Sequence, residues 1–98
     1  MISGKNYIGN KLSAKGSKTY KTFNPQLNLE NEYVFTEATF EEIDEAVKLS
    51  AEAFKIYKNV SGIKKAHFLN TIADEIEALG DELIQVYTSE TGLPEGRA

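Results

Sequence analysis

The 98 residues contain no cysteine and a single histidine, His67. The first absence excludes a disulfide framework, thiolate metal sites and a cysteine nucleophile within this chain. A lone histidine without cysteine partners falls short of the three or four convergent ligands that a zinc site needs. No apolar run approaches the roughly 20 residues that span a bilayer, so no membrane association is expected. The opening residues, Met1 to Asn6, lack the apolar core of a secretory signal. A cytoplasmic location is the expectation. The three early glycines, Gly4, Gly9 and Gly16, have neither dinucleotide-binding nor phosphate-loop spacing.

What is present is an ordinary globular composition, 41% hydrophobic with a net charge of −4. The length leaves room for one small domain at most. The charge is mild but segregated: residues 1–22 carry five lysines and no acid, whereas residues 30–52 carry eight acids and one lysine. Five dispersed lysines without an arginine make no nucleic-acid footprint. They read as a solvated hairpin that neutralises a nearby acidic helix.

Strands come first. Asn6 to Leu12 reads as a tight hairpin around Gly9-Asn10, a pair that accepts positive φ. Ser13 to Lys18 reads as a loop. Thr19 to Phe23 alternates and is rich in β-formers, so a strand is expected, ended by Asn24-Pro25. Gln26 to Asn31 reads as a polar turn, and Tyr33-Val34-Phe35 as a further short strand. No repeat, low-complexity tract or linker appears.

Helices make up the rest. Thr39 with Glu42 three residues on has capping-box spacing, and Glu41, Glu42 and Asp44 suit the positive end of a helix dipole. Ile43, Ala46, Val47, Ser50, Ala53, Phe54 and Tyr57 then form one stripe at helical spacing, leaving Glu45, Lys48, Glu52 and Lys55 on the water side. Ser61 caps a second helix, with Ala66, Leu69, Ile72, Ala73, Ile76 and Leu79 as its stripe. The spacing predicts helices over 39–58 and 61–79, packed antiparallel through Val47, Phe54, Leu69, Ile72 and Ile76. Gly80 suits a left-handed C-terminal position. Asp81 is the expected cap of a short third helix through Leu83, Ile84 and Tyr87, closed by Gly92. Pro94 reads as a break or as the first residue of another helix.

None of the polar clusters makes a chemical site. His67 reads as a helix-surface residue that neither binds metal nor catalyses. Asp74, Glu75 and Glu77 cannot all share one face of a helix whose buried side is Ile72, Ala73 and Ile76. Asp81 to Glu90 lacks the glycine and ligand pattern of a calcium loop. No serine has the histidine and acid of a triad around it.

Taken together, three stretches resemble the N-terminal segment of the NAD(P)-dependent aldehyde dehydrogenase family. The first is Tyr7-Ile8-Gly9-Asn10 followed by Tyr20-Lys21-Thr22-Phe23-Asn24-Pro25, similar to the family's early strands and Asn-Pro turn. The second is Ala38-Thr39 with Ile43 to Val47 and Ala51 to Phe54, similar to its first long helix. The third runs from Phe68 to Glu77, then Asp81-Glu82-Leu83, then Glu90 to Glu95, similar to its second and third helices. The Gly92-Leu93-Pro94-Glu95 ending is most similar to the subgroup that oxidises 2,5-dioxopentanoate (α-ketoglutaric semialdehyde) and fatty aldehydes. The chain departs from many members in having Tyr57-Lys58-Asn59 where they carry tryptophan, and Lys64 and Lys65 where they carry arginine.

The resemblance implies an α+β fragment of an α/β aldehyde dehydrogenase fold. Residues 1–98 would be the N-terminal segment of the coenzyme-binding domain, with strands and turns over 1–38 and helices over 39–98 that cover a parallel sheet. Family chemistry uses a cysteine thiolate to attack the aldehyde, hydride transfer to NAD or NADP, and a glutamate-activated water to release the acid. No residue of this chain matches a catalytic or cofactor-binding position, so the chain alone is expected to be inactive and to bind neither NAD nor NADP. Some members hold a structural monovalent cation on a backbone carbonyl near the Asn-Pro turn. Phe23 would match, but a backbone ligand leaves no sequence signature, and no metal position is assigned. Expected partners are the remainder of an aldehyde dehydrogenase chain and further copies in a homo-oligomer, with neither nucleic acid nor membrane. The competing reading is a stand-alone helical-hairpin interaction module without enzymatic activity.

Overall fold

The computed structural model describes residues 2–98. Four strands precede three helices: β1 (Asn6–Ile8), β2 (Lys11–Ser13), β3 (Thr19–Asn24), β4 (Leu29–Thr36), α1 (Phe40–Tyr57), α2 (Gly62–Ala78) and α3 (Gly80–Thr91), with a closing 3₁₀ turn at Glu95–Arg97. The strands pair as two antiparallel two-stranded sheets, β1 with β2 and β3 with β4. This is the α+β fragment expected of part of an aldehyde dehydrogenase fold. Residues fall into two compact units, one formed by the chain up to Thr22 with Glu32–Asn59, the other by Phe23–Asn31 with Val60–Ala98.

In the first unit the β1–β2 hairpin forms where the sequence places it. Its register pairs Asn6 with Ser13, Tyr7 with Leu12 and Ile8 with Lys11. Gly9 takes φ +61° while Asn10 does not turn left-handed, the φ pattern of a type II′ turn rather than I′. A two-stranded ribbon is marginal alone, and this one leans on α1. Ile8 is buried, 6% exposed, worth about 1.5–3 kcal/mol on transfer from water. A Cβ on Gly9 would come to 3.0 Å from Leu49 Cδ1 of that helix. The segment before the hairpin is tied to β4, since the Thr36 amide donates to the Gly4 carbonyl at 2.9 Å and Asn6 Nδ2 donates to the Thr36 carbonyl at 3.1 Å. Gly4, at φ +68°, lies so close to β4 that a Cβ there would overlap the Val34 carbonyl oxygen. Tyr20 stacks on Phe35, with ring centroids 5.5 Å apart.

The polar turn expected over Gln26 to Asn31 is shorter than the composition suggests. Asn24 Oδ1 accepts the amides of Gln26 and Leu27 at 3.0 and 3.2 Å, and Asn28 turns left-handed at φ +55°. The chain therefore reverses within Pro25 to Asn28, and Leu29 already pairs as a strand.

In the second unit, Ser61 caps α2 through the Lys64 amide at 3.3 Å. Gly80, at φ +54°, breaks the helix as expected. Asp81 does not act as the cap of the third helix. Leu79 stays helical, so α3 begins at Gly80 without a side-chain cap: one left-handed residue kinks the helical path without opening a new N-terminus. Gly92, at φ +71°, ends α3 with its amide on the Thr88 carbonyl at 2.9 Å. Asn31 Nδ2 donates to the Ser89 carbonyl at 3.1 Å, and Tyr87 Oη to the Arg97 carbonyl at 3.3 Å. Pro94 leads into a 3₁₀ turn over Glu95–Arg97.

Helices α1 and α2 keep their expected bounds, but their stripes do not become a core. Val47, Phe54, Leu69, Ile72 and Ile76, all expected to bury, are between 39% and 62% exposed. The periodicity correctly locates an apolar face on each helix. Whether such a face is covered depends on a partner surface, which periodicity does not supply.

Candidate functional site

The one fully buried side chain among the described residues is a carboxylate. Glu42, in the first turn of α1, is 1% exposed. The capping box expected from the sequence is present, with the Glu42 amide donating to Thr39 Oγ1 at 3.1 Å and the Thr39 amide to Glu42 Oε1 at 3.0 Å. Thr39 Oγ1 also lies 3.3 Å from Oε1. A further donor comes from far along the chain: Ser13 Oγ makes a short bond to Oε2. The Ser13 hydroxyl foremost, then the Thr39 amide, hold the carboxyl below the ordinary glutamate value, with smaller help from Lys15. Burial pushes the other way and loses.

This arrangement is structural. A general base works best with a pKa near the working pH and a free lone pair facing its substrate. Glu42 has a depressed pKa, donors on both oxygens and almost no exposed surface. Its capping role was legible in the Thr39–Glu42 spacing. Its bond to Ser13 was not, because 29 residues separate them.

Beside it, Gly16, Ser17 and Lys18 face Glu37, Ala38, Thr39 and Phe40 across an open cavity of about 350 Å³. The lining offers no nucleophile paired with a base. The other polar groups weighed from sequence stay apart. His67 is exposed on α2, as are Asp74, Glu75 and Glu77. Among the described residues no three metal-binding side chains converge. Nor do these residues fit a nicotinamide dinucleotide. The first turn of α1, where a pyrophosphate would dock on a helix N-terminus, is closed by the negative Glu42, and the N-terminus of α2 is capped by Ser61 with no glycine-rich turn before it.

The sequence likeness carries the classification. The aldehyde dehydrogenase family profile matches residues 12–98, and the chain belongs to that family. It is 35% identical over 92 residues to the alpha-ketoglutaric semialdehyde dehydrogenase of Acinetobacter baylyi, covering 94% of this chain and 18% of that protein. Alpha-ketoglutaric semialdehyde dehydrogenase 2 of Azospirillum brasilense is 36% identical over 97 residues, covering 98% of this chain and 18% of the relative. Succinate-semialdehyde dehydrogenase [NADP(+)] 2 of Schizosaccharomyces pombe is 30% identical over 90 residues, 92% of this chain and again 18% of the relative. The chain thus spans about a fifth of the length of these relatives. No solved structure matches significantly. Among the described residues no helix is long and apolar enough to cross a membrane.

Proposed function

We propose that these residues are one segment of a cytoplasmic, NAD(P)-dependent aldehyde dehydrogenase that oxidises α-ketoglutaric semialdehyde to the dicarboxylic acid. The observation that carries this is the 35–36% identity to two alpha-ketoglutaric semialdehyde dehydrogenases over 94–98% of the chain. The segment's part is architectural. Its open helix faces, Ile43, Val47 and Phe54 on α1 and Leu69, Ile72 and Ile76 on α2, support a role in covering the remainder of the enzyme, within a homo-oligomer. The coenzyme, when bound, accepts hydride. The thiolate and the activated water of the family reaction come from outside these residues, which contain no cysteine.

The test is a paired assay. An enzyme carrying this segment should reduce NAD or NADP with α-ketoglutaric semialdehyde, and a panel of other aldehydes ranks its specificity. The 98-residue chain should give no turnover and no calorimetric binding of either coenzyme. Turnover by the chain alone would overturn the architectural assignment, and inactivity of the enzyme toward every aldehyde would overturn the enzymatic one. The competing reading is a helical-hairpin interaction module, which the same open faces would serve. A coding sequence that continues into a Gly-Gln-x-Cys nucleophile motif decides for the enzyme.

A further inference from the structure

We propose that α1 pairs antiparallel with the α1 of a second copy of this chain. The pairing rests on the homo-oligomer of the reading above and names its contact, leaving the α2 face to the remainder of the enzyme. Two sides of α1 differ in what they meet. Glu42 and Leu49, one heptad apart, face the β1–β2 hairpin: Glu42 takes the Ser13 hydroxyl, and Leu49 lies beside Gly9. A second side carries Phe40, Ile43, Val47, Ser50, Phe54 and Tyr57. Their spacing alternates three and four residues without a break, the pattern of a two-helix seam. All six are exposed, the five apolar ones from 41% at Tyr57 to 91% at Phe40.

The charges beside this seam select its occupant. Glu41, Asp44 and Glu45 crowd its N-terminal end, and Lys55 and Lys58 its C-terminal end. Asp44 and Lys58 flank the same edge, seven residues on either side of Ala51. Lys58 stands over the Phe54 ring, 5.8 Å from its centroid, at the seam itself. Asp44 pairs with Lys48 within the helix, but both side chains are largely exposed, and so weak a pair is readily exchanged. A parallel alignment would set Asp44 beside Asp44 and Lys58 beside Lys58. An antiparallel one brings the acidic end of each helix alongside the Lys58 end of the other, with the helix dipoles opposed. A two-fold axis makes the two ends equivalent, so the surface is complementary to itself. A second copy meets that condition by construction.

Side-chain sizes fit the same alignment. Phe40, Ile43 and Val47 border a shallow groove of about 430 Å³, with Glu41 and Asp44 on its rim. Antiparallel pairing sets Tyr57 and Phe54 of the second copy opposite Phe40 and Ile43, so large rings enter that groove. At the centre Val47 meets Ser50 of the second copy. The Ser50 hydroxyl already donates to the Val47 carbonyl at 2.7 Å, so its burial leaves no unpaired donor. One face of an 18-residue helix makes a small interface, below roughly 1,200 Å², and the association is weak and concentration-dependent.

Sedimentation equilibrium of the 98-residue chain tests the pairing. The average mass should rise from one chain toward two between about 10 μM and 1 mM at low salt. Val47→Glu, at an exposed site, should abolish the rise while circular dichroism shows unchanged helix content. Ile56→Glu replaces another exposed apolar residue of α1, outside the seam, and should leave association as it was. Asp44→Lys and Lys58→Glu, each alone, should weaken pairing on the order of tenfold by setting like charges together. Mixed, the two variants should associate again, because each charge then meets its opposite. A mass that stays at one chain overturns the pairing, and so does self-association that survives Val47→Glu. A mixture no stronger than its components overturns the antiparallel order. None of these results bears on the enzymatic reading, which turnover with the semialdehyde decides separately.

Discussion

Gly4 is the position where a single methyl group should do most damage. Its φ of +68° is left-handed, and an added Cβ would overlap the Val34 carbonyl oxygen. The left-handed conformation alone costs a non-glycine residue about 1–2 kcal/mol. Relief of the overlap requires the backbone to move from β4, which breaks the bond from the Thr36 amide to the Gly4 carbonyl, worth about 1 kcal/mol. Gly4→Ala should therefore cost about 2–3 kcal/mol and lower Tm by roughly 10–25 °C for a domain of this size. Two further glycines separate the contributions. Gly80 has φ +54° with nothing within 4 Å of its would-be Cβ, so Gly80→Ala should cost only the conformational part, about 1–2 kcal/mol. Gly62 has neither a positive φ nor a neighbour within 4 Å, and Gly62→Ala should be neutral or stabilising by up to about 1 kcal/mol. The assay is urea denaturation followed by far-UV circular dichroism, with exchange of the Thr36 amide as a local probe. If Gly4→Ala costs no more than Gly80→Ala and leaves Thr36 protected, the close approach of Gly4 to β4 is wrong.

Four other outcomes rest on the same geometry. Ile72→Asp should cost the 98-residue chain no more than about 1–2 kcal/mol, because Ile72 is 39% exposed and forfeits only partial burial; a loss of several kcal/mol on thermal melting would show that α2 buries this face more fully. Gly92→Ala should cost about 2–3 kcal/mol, since φ is +71° and the new Cβ would meet Pro25 Cγ at 2.8 Å; unchanged urea midpoints would refute that contact. Asn24→Ala should cost about 1 kcal/mol by removing the acceptor of two turn amides, read as faster exchange at Gln26 and Leu27. Purified without an affinity tag, the chain should retain no stoichiometric zinc or nickel, because His67 has no ligand partners in the described residues; metal lost on His67→Ala would overturn this.

The order and bounds of α1 and α2 were legible in the sequence because the causes are local. A capping side chain acts three residues away, and a helical stripe declares itself within two turns. Thr39 with Glu42, Ser61, Gly80 and Gly92 all punctuate the chain where their chemistry dictates. The β1–β2 turn was local in the same way. Local too, but read as too long, was the turn after Asn24-Pro25: one side chain replaces backbone hydrogen bonds there, and a polar composition does not reveal how early Leu29 begins to pair. Membership of the family was also legible, because motif order and spacing survive across the segment.

Tertiary structure alone decided three things. Ser13 meets Glu42 across 29 residues, and nothing in either local sequence announces that one helix-capping acid is also a buried anchor. Gly4 has no local signal that marks it, and only the approach of β4 shows why a side chain is excluded there. The apolar stripes of α1 and α2 remain open, because periodicity specifies which face of a helix is hydrophobic, whereas burial belongs to a pair of surfaces and exists only where the second one is present.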